Sequence, residues 1–172
     1  EPRFGPLGKA IVGVSYGSGR MYGLLRDAND GMPQAAVIGL PGNFSSGSAR
    51  LSVNPVDGQL YTVGFDALGD YAVEEGCFSR IRHTGQAAIF PTAWQAHANG
   101  IMLTFDKDVA AATAKGFFSQ QWTYVDSQNT YGSPEYSVKD PTQLGHDHLV
   151  IKSVQVLADK RSLFFEIPEL RP

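Results

Sequence analysis

Cysteine is all but missing from this sequence. Among 172 residues Cys77 stands alone, which excludes an intrachain disulfide and the Cys-x-x-Cys-His pattern that attaches a c-type haem. Charge is scarce too. Asp, Glu, Lys and Arg make up 18% of the chain and leave a net charge of −3. The basic residues are scattered, with only short pairs such as Lys160-Arg161. Nucleic-acid binding needs a concentrated basic face to displace counterions from phosphate, so that partner is excluded. No apolar run approaches the roughly 20 residues that a membrane-spanning helix requires. Helical periodicity is also poor. The one signal covers residues 106–115, where Val109, Ala111, Ala112 and Ala114 follow an acidic start and predict one or two turns. A nucleotide-binding sheet is excluded as well, because no glycine loop follows a strand and opens a helix.

What is present is turn and strand chemistry. The chain has 19 Gly, 10 Pro, 11% aromatics and 42% hydrophobic residues, enough for one ordinary domain or two small ones with a real core. Short strands are expected at 9–16 and 20–26 across Gly17-Ser18-Gly19, and at 35–40, stopped by Pro41-Gly42. Further strands at 49–53 and 59–65 flank Asn54-Pro55-Val56-Asp57-Gly58, a turn whose proline presets φ. Residues 77–83 close this half. After Thr84-Gly85 the character changes. A strand pair at 87–97 and 100–105 meets across Asn99-Gly100, a strong hairpin signal. Residues 127–145 are polar and predict a long loop. A final pair, 149–157 and 161–167, turns at Ala158-Asp159-Lys160. The fold class is therefore all-β, with two regions, 1–85 and 86–172.

Two stretches carry a resemblance. Gly5-Pro6-Leu7, leading into Gly13-Val14-Ser15-Tyr16-Gly17-Ser18-Gly19-Arg20-Met21-Tyr22, resembles a propeller blade of pyrroloquinoline-quinone sugar dehydrogenases and sorbosone-dehydrogenase-like proteins. Asn54-Pro55-Val56-Asp57-Gly58-Gln59-Leu60-Tyr61 is similar to their recurring turn and strand. The second half resembles bacterial immunoglobulin-like domains from Phe90-Pro91 through Leu103-Thr104-Phe105-Asp106-Lys107-Asp108-Val109, and again at Gly132-Ser133-Pro134-Glu135-Tyr136-Ser137-Val138. The resemblance implies propeller-like sheets over 1–85 and an immunoglobulin-like sandwich over 86–172. It also implies the C-terminal part of a large secreted or periplasmic bacterial protein, whose other domains hold pyrroloquinoline quinone, calcium and haem c. No cofactor is expected within this chain, and no catalytic residue carries over. A chain that opens on Glu1 fits a processed or excised portion.

Individual constellations are thin. His146-Asp147-His148 is the best metal candidate, since two histidines on one strand face stand about 7 Å apart. Copper or zinc would need a third ligand, with His97, Asp140 or Glu135 as candidates. Trp122, Tyr131 and Tyr136 are candidate sugar-stacking rings, with Tyr124 close by. Trp94 sits in an apolar-alternating strand and is expected in the core of the second half. Asp66, Asp70, Glu74 and Glu75 match no calcium loop and predict a solvated turn. Ser15 matches a nucleophile elbow only in letters, because a hairpin follows instead of a helix. Asn43-Phe44-Ser45 is a glycosylation sequon in form only. Cys77 opens a strand and reads as an inert, buried thiol.

The leading functional expectation is a non-catalytic scaffold or docking portion of an extracytoplasmic oxidoreductase-like protein. Its partner would be the remainder of a propeller, whose missing neighbours must cover open sheet edges. A carbohydrate-binding module is the second expectation, and a small copper or zinc protein the third.

Overall fold

Frequent turns between short alternating segments leave the backbone little choice but antiparallel pairing. The computed structural model describes residues 2–29, 31–66, 72–111, 114–125 and 132–171. The chain is all-β, with several small antiparallel sheets and no closed barrel among the described residues. Helix is confined there to two 3₁₀ segments, Pro2–Leu7 and Ala114–Gly116. The expected turns at 106–115 do not form over 106–111. In that stretch Asp106 N–H donates to Phe90 O at 3.0 Å and Val109 N–H to Lys160 O at 2.8 Å.

The chain divides into two compact units. The first comprises Glu1–Trp94 and Phe105–Lys107, the second Gln95–Thr104 and Asp108–Pro172. Residues 82–90, around the expected boundary, carry no strand.

The first unit contains two three-stranded meanders. One is β1 (Ile11–Val14), β2 (Arg20–Asn29) and β3 (Met32–Asn43); the other is β4 (Ser48–Val53), β5 (Leu60–Phe65) and β6 (Gly76–Ile81). Strand β3 runs past Pro41-Gly42, where the sequence predicts a stop. Two features permit this. β3 is an edge strand, so the missing Pro41 N–H costs no ladder bond. The register also shifts between the Arg20–Asn43 and Tyr22–Gly39 pairs, a bulge that Gly42 accommodates at φ 108°. The two sheets share one core of Phe4, Met21, Leu40 and Leu60, with Val12, Val14, Ile38 and Leu51 packed against it.

The second unit carries smaller pieces. After β7 (Pro91–His97), which begins in the first unit, come β8 (Gly100–Phe105), β9 (Ser119–Gln121), β10 (Thr123–Tyr124) and β11 (Glu135–Tyr136). They are followed by β12 (Asp147–Leu149), β13 (Ser153–Val156) and β14 (Ser162–Glu166). The main sheet runs β13-β14-β8-β7, while β10-β11 and β12-β9 form two ribbons. The 127–145 segment is thus not all loop, since β11 interrupts it. Leu149, Leu163, Phe165 and Ile167 are buried here, and Phe117 meets Phe165 edge to face at 4.9 Å.

The β7–β8 turn falls on Ala98-Asn99, one residue earlier than the Asn99-Gly100 signal predicts. Gly100 has a different task. It pairs with Glu166, and a Cβ there would overlap the Phe165 carbonyl and press on the Phe164 ring at 2.9 Å. Gly100→Ala is therefore expected to lower stability by about 2 kcal/mol through overpacking against backbone. Urea denaturation of the variant beside the parent chain checks this.

Candidate functional site

In the second unit the sequence places Trp122 just ahead of β10, Glu135 and Tyr136 in β11, and His146 just before β12. Antiparallel pairing of Thr123 with Tyr136 and of Tyr124 with Glu135 draws these segments together. The His146 ring then stacks on the Trp122 indole, with centroids 4.4 Å apart and planes 17° from parallel. His146 Nε2 lies 2.5 Å from Glu135 Oε2. Trp122 remains 45% exposed. A flat ring, a carboxylate and an imidazole thus meet at one surface. The exposed rings of Tyr124 and Phe118 lie nearby in sequence; sequence reasoning gave Tyr124 only a passing place and missed Phe118.

The three candidate metal ligands are engaged separately. His146 is stacked on Trp122, His148 leans on Phe118 at 5.3 Å, and His97 meets Phe164 edge-on at 5.7 Å. No group of three or more His, Cys, Asp or Glu side chains is placed to hold a metal ion among the described residues. Asp140 accepts from the Thr142 hydroxyl and backbone instead. Tyr131 and Asp70 lie outside the described residues. Trp94 belongs to the first unit, where its indole N–H donates to Leu25 O at 3.1 Å and leaves the ring half-buried. Cys77 is half-buried, with its Sγ 3.9 Å from Ser46 O.

The base of the ribbon is locked by Asp147. Its carboxylate accepts the Ser137 hydroxyl at 2.6 Å and the backbone N–H groups of Val138 and Lys139 at 2.8 and 3.0 Å. These bonds, the Ser137 hydroxyl first, hold its pKa below the ordinary 3.8.

The first unit presents a different feature. An antiparallel sheet with one solvated face normally alternates apolar inside and polar outside. Here the outer faces carry apolar rows as well, interleaved with Arg26 on one sheet and with Arg50, Ser52 and Arg80 on the other. Opposite the shared core, Ile11, Leu24 and Val37 pair in one row across β1, β2 and β3. Ile11 is 46% and Val37 66% exposed. On the other meander Val63 pairs with Phe78, at 44% and 73% exposure, beside Phe65. Tyr61 stacks on Phe78 at 5.7 Å, and Tyr16 covers Phe65 at 5.5 Å. The signal was readable: Leu60-Tyr61-Thr62-Val63-Gly64-Phe65 lacks the charged alternate positions of a half-solvated strand.

Compared with known proteins, the chain matches no protein family, no curated protein and no solved structure.

The lowered Asp147 pKa has a definite sign. Its contribution to stability is present above the ordinary carboxyl pKa and is lost as pH falls through the lower native value. Asp147→Asn should therefore flatten the acid limb of the stability curve below about pH 4. Thermal melts from pH 7 to pH 2 measure it, and equal acid sensitivity in both chains would contradict the assignment.

Proposed function

We propose that this chain is a non-catalytic scaffold and docking portion of a larger extracytoplasmic protein related to the quinoprotein sugar dehydrogenases. One observation carries the reading: both sheets of the first unit expose rows of large apolar side chains on the face away from their shared core, Ile11 and Val37 on one and Val63, Phe65 and Phe78 on the other. Sheets of that composition are stable when covered on both sides, as propeller blades are by their neighbours. Full burial of each such side chain is worth about 1.5–3 kcal/mol. The reading is supported by the contact between β1 and β4, the first strands of the two meanders, since equivalent strands adjoin in radially arranged blades. The resembling phrases fall on the β1–β2 and β4–β5 hairpins, where a blade motif belongs. Each meander has three strands against the four of a full blade. Quinone, calcium and haem c would belong to other domains of the parent protein.

At micromolar concentration the isolated chain should self-associate and bind the neutral dye Nile red. Val63→Thr with Phe78→Thr should shift it toward monomer and at least halve the dye signal. Tm should move by no more than about 2 °C, as expected for surface positions. Sedimentation velocity and dye titration decide; a monodisperse parent chain without dye binding defeats the proposal.

A second reading is carbohydrate binding on the second unit. It is favoured by the exposed Trp122 and Tyr124 rings beside the Glu135–His146 pair, with Tyr136 on the same ribbon. Such a site would stack a sugar ring on the indole and hydrogen-bond its hydroxyls to the carboxylate. Affinity electrophoresis in gels containing β-glucan, xylan or mannan should retard the parent chain, and Trp122→Ala should release it. Unretarded migration of the parent chain in all three gels ends this reading.

A further inference from the structure

Beside the unpaired segment 82–90 the first unit contains a cavity of about 520 Å³. Its floor is the open side of the shared core, formed by Phe4, Met21, Leu40, Ile81 and Phe90. Its charged lining is of one sign. Arg82 and Lys107 line it together with His83, and no Asp or Glu does so among the described residues. Of the two carboxylates that flank Lys107 in sequence, Asp106 accepts the Phe90 N–H at 2.7 Å and Asp108 accepts from the Arg161 guanidinium at 3.3 Å. Lys107 Nζ donates to Ala88 O at 2.9 Å, which holds the ammonium at the wall of the cavity. The His83 ring is likewise held, pressed against Gly5 so closely that a Cβ there would lie 2.7 Å from it.

A ligand site of ordinary size combines an apolar body with a few placed polar groups. This one offers hydrocarbon walls and two permanent cations without an internal counter-charge. We propose that the cavity binds a small amphipathic carboxylate, a medium-chain fatty acid or similar molecule. The aliphatic tail lies against Phe4, Met21 and Leu40, and the carboxylate reaches Arg82 and Lys107. A guanidinium presents a fork of donors to a carboxylate, and that pairing is stronger than a neutral hydrogen bond. A neutral alcohol of the same length forfeits it, and a cationic amphiphile is repelled. The site lies on the core side of the sheets and is independent of their uncovered outer faces.

The test is isothermal titration calorimetry of the full chain with decanoate below its micellar concentration. Decanol and decyltrimethylammonium serve as controls. Decanoate should bind one to one with a Kd on the order of 10–100 µM, consistent with the modest energy per atom of small ligands. Both controls should bind at least tenfold more weakly. Arg82→Gln, at an exposed position, should weaken decanoate about tenfold, and Lys107→Arg should bind it like the parent chain. Phe78→Thr, on the outer face, should leave the affinity unchanged. Absence of binding, equal affinity for all three amphiphiles, an unaffected Arg82→Gln, or loss in Phe78→Thr would each overturn the proposal.

Discussion

Phe4 sits between two sheets, neither of which can be stable without the other. A three-stranded meander buries too little apolar surface by itself, and here two of them close on one cluster of Phe4, Met21, Leu40 and Leu60. Phe4 belongs to neither sheet and is delivered from the N-terminal 3₁₀ segment. Its neighbour Arg3 ties that segment to the second meander, with the guanidinium donating to the carbonyls of Pro55 and Val56 at 3.1 Å each. The turn receiving those bonds is itself rigid, because Asn54 accepts from Val56 N–H while Asp57 accepts from Gln59 N–H and the Tyr61 hydroxyl. Inside the second sheet Thr62 is fully buried, and its hydroxyl is satisfied by Ser48 and the Arg50 carbonyl. The core therefore joins the two sheets through one plug and one anchored turn.

The same arrangement explains where binding surfaces lie. Inward-facing side chains are consumed by the shared cluster, so any further apolar residue must face outward or line the gap beside residues 82–90. Both happen. Apolar rows on the two meanders face outward, and the gap exposes core hydrocarbon next to Arg82 and Lys107.

Four aspartates among the described residues serve architecture. Asp57, Asp140, Asp147 and Asp159 all have lowered pKa values, and in each case the leading cause is a nearby backbone N–H or hydroxyl. Asp159 shows the pattern plainly, closing the β13–β14 turn by accepting from Arg161 N–H, Ser162 N–H and the Ser162 hydroxyl. A carboxylate so engaged is stabilised as the anion and is a poor proton donor near neutrality. This use of Asp at turns agrees with the proposed non-catalytic role.

Much of the fold was legible. Alternation and turn residues located β4, β5 and the Asn54–Gly58 turn almost to the residue, because those signals are local. The sequence missed where the local rule depended on a neighbour. Pro41 does not end β3, since only the sheet order makes β3 an edge strand. Residues 106–111 do not coil, and Asp106 and Val109 donate instead to Phe90 and Lys160, partners that local sequence does not name. The site was less legible still. His146 and His148 share a sequence motif, yet Trp122 and Phe118 take them separately, and Trp94 finds its acceptor in the first unit. By itself the sequence determined the all-β class, the scarcity of charge and the positions of most turns, since each rests on the conformational preference of a few adjacent residues. Tertiary structure alone decided which face of each strand is inside, which carboxylates hold turns and where cations surround open hydrocarbon. Those outcomes depend on residues far apart in the chain, and no local pattern records them.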